Sequence, residues 1–122
     1  MTQYQTKAVL LAARNWGEAD KLVTLFSREH GKIPAMAFGA RRIKSRLTGA
    51  LQEFNVLNVV LANSRKNMDS IQYCEILQTF PSLQDDIYRI AYGSFITELL
   101  AELCPERQPE PRLFDLLLGI LA

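Results

Sequence analysis

Arg41, Arg42, Lys44 and Arg46 place four cations within six residues, in the stretch Gly39-Ala-Arg-Arg-Ile-Lys-Ser-Arg46. Like charges this close repel one another, and they are tolerated cheaply only when solvated or facing a polyanion. The chemistry open to them is phosphate contact, in which Lys and Arg neutralise a nucleic-acid backbone and release its counterions. An ordinary solvated loop is the competing reading. Arg14, Lys21, Arg28 and Lys32 extend the candidate patch, although surface solubility explains each of them singly. Trp16, Phe38 and Phe54 offer rings on which bases stack. Phe38 and Phe54 have apolar neighbours and are expected in the core; Trp16, beside a turn, fits either role.

Other chemistries lack a constellation. Glu18 and Asp20 form a close carboxylate pair, but a polar turn paired with Arg14 and Lys21 explains them without a catalytic cleft. His30 is the only histidine, lies outside any recognisable triad motif, and reads as a surface turn residue before Gly31. There is no glycine-rich phosphate loop and no metal-ligand spacing. The two cysteines, Cys74 and Cys104, lie far apart in apolar patterns and read as buried free thiols. No enzyme, no cofactor and no metal is expected.

The elements that must carry the cations change character near residue 80. Before it, Tyr4 to Ala13, Lys21 to Ser27, Ile33 to Phe38, Phe54 to Ala62 and Ile71 to Phe80 are short runs of strand formers separated by turn residues. Five such strands predict a small closed or half-closed barrel. Pro34 cannot donate to a ladder and predicts an edge or bulge in the third strand. Leu47 to Glu53 is either a short helix or a loop, and Asn63 to Asn67 is a polar turn. Beyond Phe80, Pro81-Ser-Leu-Gln-Asp85 resembles an N-terminal capping signal with Ser82 as the cap. Leu83, Ile87, Ala91, Phe95, Leu99 and Leu103 then recur at every fourth position and predict one long buried helix from Ser82 to Cys104. After a proline-rich break from Pro105 to Pro111, Arg112 to Ala122 predicts a further helix with Pro111 in its first turn. That helix is apolar almost all round and ends without a cap, which predicts a chain that stops inside a helical domain or a segment docked on a second copy.

The chain has 122 residues, 48% of them hydrophobic and 22% charged, a composition that folds. The net charge of +1 conceals an asymmetry: residues 1–80 hold 11 Lys and Arg against 6 Asp and Glu, whereas residues 81–122 hold 3 against 7. A basic front and an acidic back suggest two faces with different partners, the first of them anionic. The polar N-terminus and the lack of a membrane-length apolar run lead to a cytoplasmic expectation.

Trp16-Gly-Glu-Ala-Asp-Lys-Leu-Val-Thr-Leu-Phe-Ser-Arg-Glu-His-Gly-Lys32, with Gly39-Ala-Arg-Arg42 and Ser45-Arg46, resembles the N-terminal part of the bacterial recombination mediator family RecO. The likeness continues through Leu51-Gln-Glu-Phe54, Tyr92, Glu98-Leu-Leu100 and Phe114-Asp-Leu-Leu117. The resemblance implies an all-β OB-fold barrel at residues 1–80, followed by an α-helical segment at 82–122 that begins a helical domain. It also implies binding of single- and double-stranded DNA, annealing of complementary strands, and help to RecA in displacing single-strand-binding protein alongside RecR. Such a protein works in DNA repair and recombination and is nucleoid-associated. Many family members carry a four-cysteine zinc motif further along, which Cys74 and Cys104 do not supply. The alternative function is a protein-interaction or oligomerisation module that does not itself bind DNA.

Overall fold

The computed structural model describes residues 2–42, 45–63 and 68–122, so Lys44 and most of the expected polar turn at 63–67 lie outside the described residues. Five strands form: β1 (Thr2–Trp16), β2 (Asp20–Ser27), β3 (Gly31–Ala37), β4 (Val56–Asn63) and β5 (Asp69–Gln78). They close into a barrel in the order β1-β2-β3-β5-β4. Closure depends on the length of β1. Its first half, Thr2 to Val9, pairs with β4, and its second half, Ala8 to Trp16, pairs with β2. A register shift between Leu10 and Ala12 bends the strand so that both ladders form. β3 and β5 complete the ring through a short parallel contact, Ala35 with Asp69 and Met36 with Ser70. Pro34 lies just before that contact and pairs only with β2, so it stands at an edge of the β3–β5 contact, one of the two placements expected for it. This five-stranded Greek-key barrel is an OB-fold.

Period-two alternation sorts the side chains. Val23 and Leu25 on β2, Ile33, Ala35 and Ala37 on β3, and Leu57, Val59 and Leu61 on β4 fill the barrel with no exposure. The stretch from Leu47 to Glu53 resolves into a short helix, α1 (Leu47–Ala50), whose Ala50 joins Leu51 and Ala40 in that core.

The outer side of β1, with Phe26, Phe54 and Val56, forms a second core against the helices. Val9 and Leu11 meet Phe80, Leu83, Phe114, Leu117 and Leu121 there, and each such fully buried Leu or Phe contributes about 1.5–3 kcal/mol. The expected single helix from Ser82 to Cys104 is two helices, α2 (Pro81–Gln84) and α3 (Ile87–Leu103). Pro81 opens the first turn a residue too early for Ser82 to cap it. Asp86 caps α3 instead, accepting from the backbone N–H groups of Tyr88 at 2.9 Å and Arg89 at 3.4 Å.

The expected buried stripe of α3 is also corrected. Ile87, Phe95, Leu99 and Leu103 are exposed, and so is Tyr92, whereas Gly93 and Thr97 face inward. The helix is apolar nearly all round, so hydrophobic period does not select a face; close approach does. A Cβ at Gly93 would stand 3.1 Å from Cε1 of Phe54, a contact tighter than side chains ordinarily make, so the glycine eases the close approach of the helix to the barrel. α4 (Pro111–Leu121) begins on Pro111 as expected and turns Phe114, Leu117 and Leu121 onto the barrel, leaving Leu116 and Ile120 exposed. Among the described residues no helix is long and apolar enough to cross a membrane.

Candidate nucleic-acid interface

Because Val23 and Leu25 point inward, Leu22 and Thr24 point outward, and the ladder sets Arg14 opposite Leu22 and Ala12 opposite Thr24. On β3 the same alternation turns Pro34 and Met36 outward, and Phe38 follows in phase. Trp16 lies two residues beyond Arg14 and shares its face. The outer surface of β1, β2 and β3 therefore carries Arg14, Trp16, Leu22, Met36 and Phe38. Ala12, Ala13, Arg14, Leu22 and Thr24 line a shallow depression of about 240 Å³ on it.

Two aromatic rings stand free at the end of this surface. Trp16 is 50% exposed and Phe38 is 62% exposed. The core expectation for Phe38 is thus corrected, since the strand phase that buries Ala37 turns its neighbour out. Phe54 is buried as expected, in a left-handed backbone conformation at φ 75°. The Arg14 guanidinium lies over the indole of Trp16, 5.6 Å from the ring centroid, which orients both groups.

The basic loop is pinned beside those rings. The Arg41 backbone N–H donates to the Ala19 carbonyl at 2.9 Å, and its Nη1 donates to the Gly17 carbonyl at 2.8 Å. Asp20 accepts from the Gly39 N–H at 2.7 Å, so this carboxylate braces the loop. Thr48 Oγ1 donates to the Ala40 carbonyl at 2.6 Å and fixes the far side. Arg41, Arg42 and Arg46 are all exposed. Arg14 and Arg41, more than 20 residues apart in sequence, are thereby brought to one end of the barrel around Trp16.

The remaining basic candidates lie elsewhere. Lys21 lines a different depression of about 320 Å³, together with Glu53 and Glu98. Arg28 is bound to Asp115 of α4 at 3.1 Å, and that contact raises its pKa. Lys32 Nζ donates to the Ala101 carbonyl of α3 at 2.7 Å. These last two cations tie the barrel to the helices.

Sequence reasoning missed a second polar cluster. Asp69 is fully buried at the start of β5 and accepts from Tyr4 Oη, from Asn63 Nδ2 at 2.6 Å and from Arg107 Nη2 at 2.7 Å. Burial, and then the bond to Asp69, push the Tyr4 hydroxyl up to about 12. No spacing signal links residues 4, 69 and 107; only a lone acid at a strand start and an arginine in a proline-rich break hint at them. Both cysteines are free, Cys104 buried and Cys74 half-buried. Among the described residues no group of three or more His, Cys, Asp or Glu is placed to hold a metal ion.

Comparison with known proteins identifies the family. Residues 1–80 match the family model for the recombination protein O N terminal domain, and residues 84–122 match the model for its C terminal domain. A DNA repair protein RecO from Pelotomaculum thermopropionicum is 44% identical over 121 residues, which are 99% of this chain and 47% of that protein. The DNA repair protein RecO of Myxococcus xanthus is 38% identical over 117 residues, covering 96% of this chain and 48% of the relative. A chain of the Schizosaccharomyces pombe Stn1-ten1 complex superposes with a TM-score of 0.47 and 13% identity, over 79% of this chain and 76% of that one. The chain spans about half the length of the curated relatives it matches. With both family models matched in order along nearly its whole length, the chain belongs to the recombination protein O, or RecO, family.

Proposed function

We propose that this protein is a non-enzymatic DNA-binding mediator of DNA repair and recombination. It binds single- and double-stranded DNA through the end of the barrel formed by Arg14, Trp16, Phe38, Arg41, Arg42 and Arg46. Lys44, which lies outside the described residues, belongs to the same cationic stretch of sequence. The observation that carries the reading is the coincidence of two free aromatic rings with a braced cationic loop on the outer β1–β3 surface of an OB-fold. OB-folds bind oligonucleotides on this side, with bases stacked on aromatic rings and the backbone held by cations. The barrel, residues 1–80, is the DNA-binding unit in this reading, and residues 82–122 begin the helical unit. Screening two polyanions at once supports annealing of complementary strands. Work with RecR, RecA and single-strand-binding protein belongs to the same reading and rests on family membership alone.

A protein-docking role has one observation in its favour. Tyr88, Tyr92, Phe95, Leu99 and Leu103 make an exposed apolar face on α3, the kind of surface that marks an interaction site. It lies on the helices and leaves the barrel surface free for DNA, so the two roles are compatible.

Trp16 is the only tryptophan, and its fluorescence reports the proposed surface directly. Titration with oligothymidylate is expected to quench it, and Phe38→Ala is expected to weaken binding by about 1–3 kcal/mol, the worth of one stacked base. Binding without quenching, and unaffected by Phe38→Ala, would move DNA off this face.

A further inference from the structure

Asp69 is a buried carboxylate that the DNA-binding surface does not use, and three donors converge on it. Two come from the barrel, Tyr4 on β1 and Asn63 on β4. The third, Arg107, comes from the connection between α3 and α4. Its Nη2 lies 2.7 Å from Asp69 Oδ2, and its Nη1 donates to Tyr4 Oη at 2.9 Å. Burial works against the guanidinium charge, but Asp69 and Tyr4 more than offset it and raise its pKa.

The connection is held to make this reach. The Arg107 N–H donates to the Lys32 carbonyl at 2.9 Å, and Glu106 bridges to Lys32 in parallel. Arg107 itself sits in the left-handed region at φ 61°, a conformation that a non-glycine residue keeps only where its surroundings over-determine it. Asp69 in turn sits where β5 first meets β3, opposite Ala35, and the next pair sets Ser70 against Met36. Met36 is one of the outward residues of the proposed DNA surface. The carboxylate therefore anchors the β3–β5 seam that borders that surface, and its countercharge arrives from the helical segment.

We propose that Arg107 is a positioning residue for the nucleic-acid face: by neutralising Asp69 it locks the β3–β5 seam, so that DNA affinity depends on how the helical segment is seated. The proposal rests on the DNA-binding reading above.

The test measures oligothymidylate affinity against salt, together with amide exchange at Ser70 and Ile71, in the intact protein and in Arg107→Gln. Arg107→Gln is expected to speed exchange at the seam and weaken binding about tenfold, within the range for residues that couple sites without touching ligand. The slope of log affinity against log salt should not change, because Arg107 holds a carboxylate and not a phosphate. Adding Asp69→Asn removes the stranded charge and should restore affinity to within about threefold of the unsubstituted protein. If Arg107→Gln does not fold, Arg107→Lys keeps the charge and carries the same readouts with smaller losses.

A slope lowered by about 0.7 would make Arg107 a direct phosphate contact and overturn the proposal. So would unchanged affinity despite faster exchange, or a double variant as weak as the single one. If the unsubstituted protein fails to bind oligothymidylate, the DNA reading itself falls and takes the proposal with it. That outcome is distinct from a protein that binds normally with or without Arg107→Gln.

Discussion

Gly31 lies directly beneath the backbone of Gln108: a Cβ built on Gly31 would stand 2.1 Å from the Gln108 carbonyl oxygen. No side chain fits in that gap, and the obstacle is backbone, which cannot rotate away. Gly31 also has φ 73°, a conformation that costs any other residue energy. The turn between β2 and β3 is thus the seat on which the α3–α4 connection rests.

Gly31→Ala is accordingly expected to destabilise the fold by about 2–4 kcal/mol, combining overpacking with left-handed strain. In thermal unfolding this appears as a drop of roughly 10 °C. A melting temperature within a degree or two of the unsubstituted protein would show that the connection is not seated on Gly31.

Alkaline pH should loosen the same region. The Tyr4 hydroxyl is raised from its ordinary 10 to about 12 in the fold, so folding favours the protonated phenol. A group raised in this way contributes stability that is fully present below about pH 10 and is lost as pH climbs through about 12. Stability of the protein minus that of Tyr4→Phe, followed across this window by urea unfolding, should decline with rising pH. A flat difference would mean that the phenol is not held by Asp69.

Cysteine reactivity offers an independent check on burial. Burial, and then the neighbouring Glu75, push the Cys74 thiol up to about 11, and burial raises Cys104 as well. The thiolate is the reactive species, so both residues should alkylate slowly at neutral pH and at the ordinary thiol rate once unfolded in denaturant. Rapid labelling of native Cys104 by iodoacetamide would place it outside the second core.

Much of this architecture is legible in the sequence, and the gaps have physical causes. The strands are legible because runs of strand formers such as Lys21 to Ser27 and Ile33 to Phe38 are short and bounded by turn residues. α3 is legible as a helix but not in its orientation, because its apolar residues encircle it and Gly93 decides which side meets Phe54. The cationic loop can be read locally, since Arg41, Arg42 and Arg46 are neighbours in sequence. Its placement beside Trp16 cannot, because it follows from Arg41 and Asp20 bonding across a turn of the tertiary fold. Phe38 is misread for a related reason: apolar neighbours suggest burial, whereas strand phase, which needs Ala37 inside, puts the ring outside. The Tyr4–Asp69–Arg107 cluster spans nearly the whole chain and leaves no local pattern at all.

The central claim, that the braced cationic loop holds a nucleic-acid backbone, is tested most directly by the salt dependence of single-strand DNA binding when Arg41, Arg42, Lys44 and Arg46 are replaced together by Ala. The variant loses the Arg41 Nη1 bond to the Gly17 carbonyl but keeps the Arg41 N–H bond to Ala19 and the braces from Asp20 and Thr48. Exposed charges contribute little to stability, so it should still fold by circular dichroism. Each lost phosphate contact lowers the slope of log affinity against log salt by roughly 0.7, so the slope should fall by roughly 3 if all four make contact and by about 1.5 if half do. The loss should be the same for unrelated DNA sequences, because backbone contacts carry no base information. A folded quadruple variant with unchanged affinity and unchanged slope would contradict the account and remove the loop from the binding site.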